Sequence, residues 1–201
     1  MQVTIGNKGS KPGVRLAFPV VHVAKQFQGT GEPAYSASFI LDPVENKEDI
    51  QALDDAILAV ATEKWGAKAK AIVDGLRKKD LVCFVHGPKT DKMGQPYAGF
   101  EGCYHLNARN GGKPGEPPLK PTLVDSDPKV TLTPDSGKPY GGCYVIAYLD
   151  IWVQENGYGT RINCSMRGLQ FRKHGAAFAG GTAAAANEFE DVSEEAEEFF
   201  A

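Results

Sequence analysis

The sequence predicts a mainly β protein: a small barrel of five to six strands with a helical insertion after the second strand. Three observations carry this. Short runs of β-branched and aromatic residues recur between Gly, Pro and Asp-Pro breaks along the whole chain. One clear stretch of helical periodicity follows the second of them. Strands and helices do not alternate throughout, as a parallel α/β sheet would require.

Residues 14–24, "VRLAFPVVHVA", and 34–41, "AYSASFIL", are the first two expected strands, and "KQFQGTGEP" is the loop between them. From Lys47 to Lys79, Ile50, Leu53, Ile57, Leu58 and Ala61 recur at helical spacing, with acidic residues in the first turns where the helix dipole favours them. Gly66 is expected to split this stretch, and Ile72, Val73 and Leu76 form a second stripe. Strands return at 81–86 and 100–107. The segment 109–121, "RNGGKPGEPPLKP", reads as a Gly/Pro loop. Two long runs, 143–154 and 160–171, flank "ENGYG", and the Asn-Gly signal makes them a hairpin. "AAFAGGTAAAA", 176–186, reads as a linker, so the expected division is a body over 1–175, a linker over 176–186 and a tail over 187–201.

Charge follows the same division. Residues 1–186 carry 22 Lys and Arg against 18 Asp and Glu, a net +4, whereas 187–201 carry seven carboxylates and no base. Such a tail offers too little apolar area to offset chain entropy and is expected to be disordered. Solubility alone gains nothing from its aromatic pair, so Glu194, Glu195, Glu197, Glu198, Phe199 and Phe200 are candidates for gripping a partner.

In "CYVIAYLDIWVQ" alternate side chains fall on opposite faces. Cys143, Val145, Ala147, Leu149, Ile151 and Val153 make one wholly apolar face, the core. Tyr144, Tyr148 and Trp152 stand on the other, with Asp150 among them. On the partner strand Ile162, Cys164 and Met166 face the core, which places Arg161 and Arg167 beside the rings. Rings interleaved with guanidinium groups suit an unpaired nucleic-acid strand, bases stacking on the rings and phosphates pairing with arginine. The competing arrangement has the helices lying over this face, which would make the three rings a second core. Burying Asp150 and two arginines there would cost several kcal/mol per ion before pairing, which favours the open face.

Lys25 and Phe27 in one loop and Arg109 and Lys113 in another are further candidates for the same groove. Tyr35 shares a face with Ala37, Phe39 and Leu41, a core pattern, and is retained as a candidate contact. Cys83, His86, Cys103 and His105 would suffice on paper for tetrahedral zinc, but strand residues three apart diverge, so neither metal nor cofactor is expected. No Walker loop, HExxH or GxSxG occurs, and an enzyme is not expected. The alternatives are a metal-dependent nucleic-acid enzyme, or an interaction protein that works through its tail and never meets DNA. No apolar run approaches the ~20 residues of a membrane span, and the N-terminal stretch lacks a hydrophobic segment, so the expected location is a cytoplasm, with four reduced thiols.

In order along the chain, "RLAFP", "EPAYSASFIL", "YGGCYVIAYLDIW", "YGTRINCSMRGLQFRKHGAAFAGG" and the acidic tail resemble the single-stranded DNA-binding proteins of tailed bacteriophages. The resemblance spans nearly the full length. It implies an OB-fold-like Greek-key body that coats single-stranded DNA in the host-cell cytoplasm during replication, recombination and repair. It also implies a tail that docks on replication proteins and occupies the DNA groove when no DNA is present. This chain departs from that pattern in ending Phe-Phe-Ala rather than on the aromatic residue itself.

Overall fold

A computed structural model describes residues 1–7, 13–27, 29–112 and 115–178, without the side chains of Phe27 and Thr30. The elements run β1 (Gln2–Ile5), β2 (Val14–Phe27), β3 (Thr30–Leu41), α1 (Lys47–Trp65), a short 3-10 turn (Gly66–Lys68) and α2 (Ala69–Arg77). They continue with β4 (Phe84–Val85), β5 (Tyr104–Gly111), β6 (Thr122–Val124), β7 (Tyr144–Asn156) and β8 (Gly159–Lys173). The mainly β expectation with one helical insertion is borne out, with eight strands among the described residues in place of five to six. The two additions, β1 and β6, are four and three residues long, too short for alternation to announce them.

The strand order is β4-β5-β3-β2-β7-β8-β6, with β1 also paired to β7. All pairings are antiparallel except β6 with β8. The segment 81–83 ties the path back on itself. Cys83 N–H donates to Ile162 O at 2.8 Å and Ile162 N–H to Leu81 O at 3.0 Å, while Asn107 N–H donates to Cys83 O at 2.9 Å. Thus β8 and β5 are bridged by one extended segment. This is why only two residues of the expected 81–86 strand enter the ladder as β4. Asn110, 5% exposed, adds a side-chain clasp: its Nδ2 donates to Met166 O at 2.7 Å and its Oδ1 accepts from Met166 N–H at 2.7 Å.

The core face of β7 is as alternation predicts, Cys143, Val145, Ala147, Leu149 and Ile151 being fully buried, with Ile162, Cys164 and Met166 beside them. The helices pack onto this same core. Leu53, Ala56, Ile57, Val60 and Ala61 of α1 join one cluster with Leu149 and Ile151. Leu58, one residue and ~100° past Ile57, points outward and is 44% exposed. At the start of α1 the buried Asp49 accepts from Gly6 N–H at 3.1 Å, and the buried Asn46 donates to Gly13 O at 3.2 Å, fixing the helix to the strands. Gly66 ends α1 at φ +56, a left-handed conformation that glycine adopts without steric cost, with its N–H bonded to Thr62 O.

Expected strand 100–107 begins later, at Tyr104. Cys103 N–H bonds Phe100 O at 3.1 Å across a turn, which carries Phe100 into a second small cluster with Ala17 and Ile40. Arg109, Asn110 and Gly111, expected in a loop, extend β5. No helix among the described residues is long and apolar enough to cross a membrane.

Candidate nucleic-acid interface

Because the helices fill the core side, the outer side of the β7–β8 hairpin stays open: Tyr148 is 42% and Trp152 40% exposed. Trp152 stands opposite Asn163 and Gln154 opposite Arg161. The indole Nε1–H donates to Ser165 Oγ at 3.1 Å, which orients the ring while leaving a face to solvent. Asn163 Nδ2 donates to Gln154 Oε1 at 3.1 Å, so the polar residues around the ring hold one another in place.

This side of the hairpin forms one wall of a groove of about 660 Å³. Trp152, Gln154, Arg161 and Asn163 line it from the hairpin, Asn107 and Arg109 from β5, and Leu81–Cys83 form the floor. Arg109 and Arg161 therefore face one cavity from opposite sides. Asp80 is the carboxylate among the lining residues. Tyr158, at the hairpin tip, also lines the groove and is 90% exposed. Its N–H bonds Asn156 Oδ1 at 2.9 Å, the local turn that Asn favours. Sequence reasoning passed over Tyr158, although an aromatic residue inside an Asn-Gly turn has nowhere to go but out.

Tyr148 lies in a second, smaller hollow of about 190 Å³ with Arg167, Thr122 and Val124. The ladder steps from Tyr148↔Gly168 to Leu149↔Met166, leaving Arg167 as the extra residue of a bulge. Tyr148 and Trp152 are four residues apart, ~13 Å along the strand. Between them Asp150 accepts from the Met1 ammonium at 3.0 Å, an exposed pair.

The remaining candidates are placed elsewhere. Tyr144 is half-buried at the far end of the hairpin: Lys173 Nζ lies 4.7 Å and the Arg15 guanidinium 5.9 Å from its ring centre. Tyr35 stands opposite Asn110 and packs against the main core, so its ring faces inward, away from the groove. Lys25 is exposed, opposite Ala34, which in turn pairs with Gly111 at the groove's edge. The Phe27 side chain, Lys113, and Glu194, Glu195, Glu197, Glu198, Phe199 and Phe200 lie outside the described residues.

The thiols and imidazoles considered for a metal go separate ways. His86 reaches Asp54 at 3.0 Å, and His105 Nδ1 contacts Gly87 O at 2.8 Å. Cys83 lies at the groove floor, its thiol pushed up to about 12 by burial, while Cys103 packs in the second cluster. Residues 176–178 rest on the body: Arg15 donates to Ala176 O at 2.8 Å, and Phe178 N–H to Gly141 O at 3.0 Å.

The molecule is a mainly β protein whose curled, mostly antiparallel sheet carries rings and guanidinium groups around an outer groove. The chain belongs to the family described as Enterobacter phage Enc34, ssDNA-binding protein, whose model matches residues 1–200. It is 33% identical over 187 residues to protein p50 of Acyrthosiphon pisum secondary endosymbiont phage 1, covering 92% of this chain and 94% of that one. Its fold is shared with the single-stranded DNA-binding protein of bacteriophage Enc34 in complex with ssDNA, at a TM-score of 0.68, 20% identity and 89% coverage of each chain. It is also shared with gp2.5, a single-stranded DNA-binding protein encoded by bacteriophage T7, at a TM-score of 0.53, 14% identity and coverage of 95% and 96%.

Proposed function

We propose that this protein is a non-enzymatic, sequence-independent coat for single-stranded DNA, acting in phage replication, recombination and repair. The observation that supports this best is the pair of guanidinium groups, Arg109 and Arg161, facing one groove across a half-exposed, hydrogen-bonded Trp152. Rings accept any base and arginines accept any phosphate, which is binding without sequence readout. Tyr148 with Arg167 supplies a second ring and cation on the same hairpin. The family is described by binding rather than catalysis. In this reading residues 1–175 are the DNA-binding body and 176–186 a linker. The tail, 187–201, recruits replication proteins through Glu194, Glu195, Glu197, Glu198, Phe199 and Phe200.

The test is a titration of intrinsic tryptophan fluorescence with oligo-dT at several salt concentrations. Binding is expected to weaken with salt at a log–log slope of about −0.7 per phosphate contacted. Arg109→Ala and Arg161→Ala should each make that slope shallower by about 0.7. A flat titration, or slopes indifferent to both arginines, removes the reading.

A further inference from the structure

Phe18 lies outside the groove, and its backbone shows that its position is not an accident of packing. Ala17 pairs with Ser38 and Val20 with Ser36, so β2 takes three steps where β3 takes two, a bulge at Phe18–Pro19. Phe18 has φ +49, a left-handed conformation in which a bulky residue is an outlier. Strain of this kind persists only where the surroundings enforce it. Its result here is to hold a large apolar ring 48% exposed.

The ring is not loose. It stacks on Phe100 at 6.0 Å with 23° between planes, and meets Tyr97 edge-on at 5.1 Å. Phe100 is buried against Ala17 and Ile40, so it is a fixed base. Tyr97 is itself 39% exposed. Two rings on a rigid support thus face solvent on the outer side of the sheet.

That platform runs without a break into the groove. Tyr97 N–H bonds Lys89 O at 3.0 Å, and Lys89 Nζ donates to Asn107 Oδ1 at 2.7 Å. Ser38, opposite Ala17, donates to the same Asn107 oxygen at 2.8 Å. Asn107 lines the groove, with Arg109 two residues further along β5. From β2 to β5 is two strand spacings, ~10 Å, and from β5 over segment 81–83 to β8 about as much again. Lys89 and Arg109 lie between the two sets of rings.

We propose that Phe18 and Tyr97 form a second base-stacking station for the strand held in the Trp152 groove, with Lys89 and Arg109 contacting its phosphates on the way. This rests on the reading of that groove as a single-stranded DNA site. One unpaired strand would enter at Trp152 and Tyr158, cross β5 and β3, and leave over Phe18.

Oligo-dT of increasing length, from about 4 to about 16 nucleotides, the range of footprints on such barrels, separates the two stations. Affinity of the unaltered protein should keep rising until the oligomer spans both. Phe18→Ala and Tyr97→Ala should match it at the shortest lengths and fall short by roughly 5- to 150-fold at the longest, the loss expected for one stacked base. Tyr97→Phe, which keeps the ring, should follow the unaltered protein. Trp152→Ala should lose affinity at every length. Photo-cross-linking of iodouracil-containing 16-mers to the unaltered protein should mark the peptides holding Phe18 or Tyr97, a readout independent of how the variants fold. Long-oligomer affinity unchanged in both alanine variants, or cross-links confined to the β7–β8 hairpin, overturns the second station and leaves the groove intact. A loss in Phe18→Ala with none in Trp152→Ala overturns the groove reading and, with it, a path joining the two.

Discussion

Removing the indole of Trp152 separates binding from folding more cleanly than any other single change. The side chain is on the solvent side of β7, 40% exposed, while its neighbours Ile151 and Leu149 fill the core. Its one hydrogen bond, to Ser165 Oγ, is itself exposed. Trp152→Ala therefore forfeits one such bond, about 0.5–1.5 kcal/mol at most, and opens no core cavity. The binding cost is that of one base–aromatic stack, about 1–3 kcal/mol or roughly 5- to 150-fold in Kd. Because the variant keeps only Trp65, which does not line the groove, anisotropy of a dye-labelled oligo-dT measures binding, and urea unfolding followed by circular dichroism measures stability. Ser165→Ala serves as control: it frees the ring's orientation but keeps its surface, and should cost less than tenfold. A Trp152→Ala protein that binds normally, or one whose binding falls only in step with its stability, refutes the assignment.

Other expectations follow from the same geometry. Tyr144→Ala, which strips a ring from under Lys173 and Arg15, should lower the urea midpoint and leave oligo-dT affinity within about threefold, the opposite of Trp152→Ala. Asn110→Ala orphans the buried Met166 N–H and C=O, at about 1–3 kcal/mol per group, which chemical denaturation would show as a lower midpoint at unchanged slope. Burial lifts the thiols of Cys83 and Cys143 from 9.0 to about 12 and about 11. Unfolded chains then lose these protons first, so folding stability should fall as pH rises from about 9 towards 11, and less so in Cys83→Ala. Deleting residues 187–201 removes seven carboxylates and should raise oligo-dT affinity or leave it unchanged. A fall would count against a tail that competes with DNA.

What the chain discloses about itself depends on how local the controlling physics is. Alternation in 143–154 assigns each side chain a face because a strand has only two, and every core residue from Cys143 to Ile151 obeys it. The same rule sees neither what arrives from elsewhere nor how far a ladder stays regular. Tyr144 faces outward as alternation requires, yet Arg15 from β2 and Lys173 from the end of β8 close over it. Arg167 stands beside Tyr148 as alternation predicts, but as the extra residue of a bulge, past which the buried positions of β8 shift from Ile162, Cys164 and Met166 to Leu169 and Phe171. Lys89, more than fifty residues from the hairpin in sequence, comes next to the groove because its ammonium donates to Asn107, one of the groove's lining residues. Phe18 is the extreme case: within "RLAFPVV" it looks like one more apolar strand residue, and only the φ of +49 turns it to solvent. Stacking unpaired bases needs rings that the core does not claim. In this fold Tyr158 is turned to solvent by a turn and Phe18 by a bulge, whereas Tyr148 and Trp152 keep the outward positions that alternation gives them, with the helices on the other side of the sheet. Sequence periodicity reports the regular part of a sheet, so an outward ring is legible where, as at Trp152, the strand stays regular, and not where, as at Phe18, it breaks.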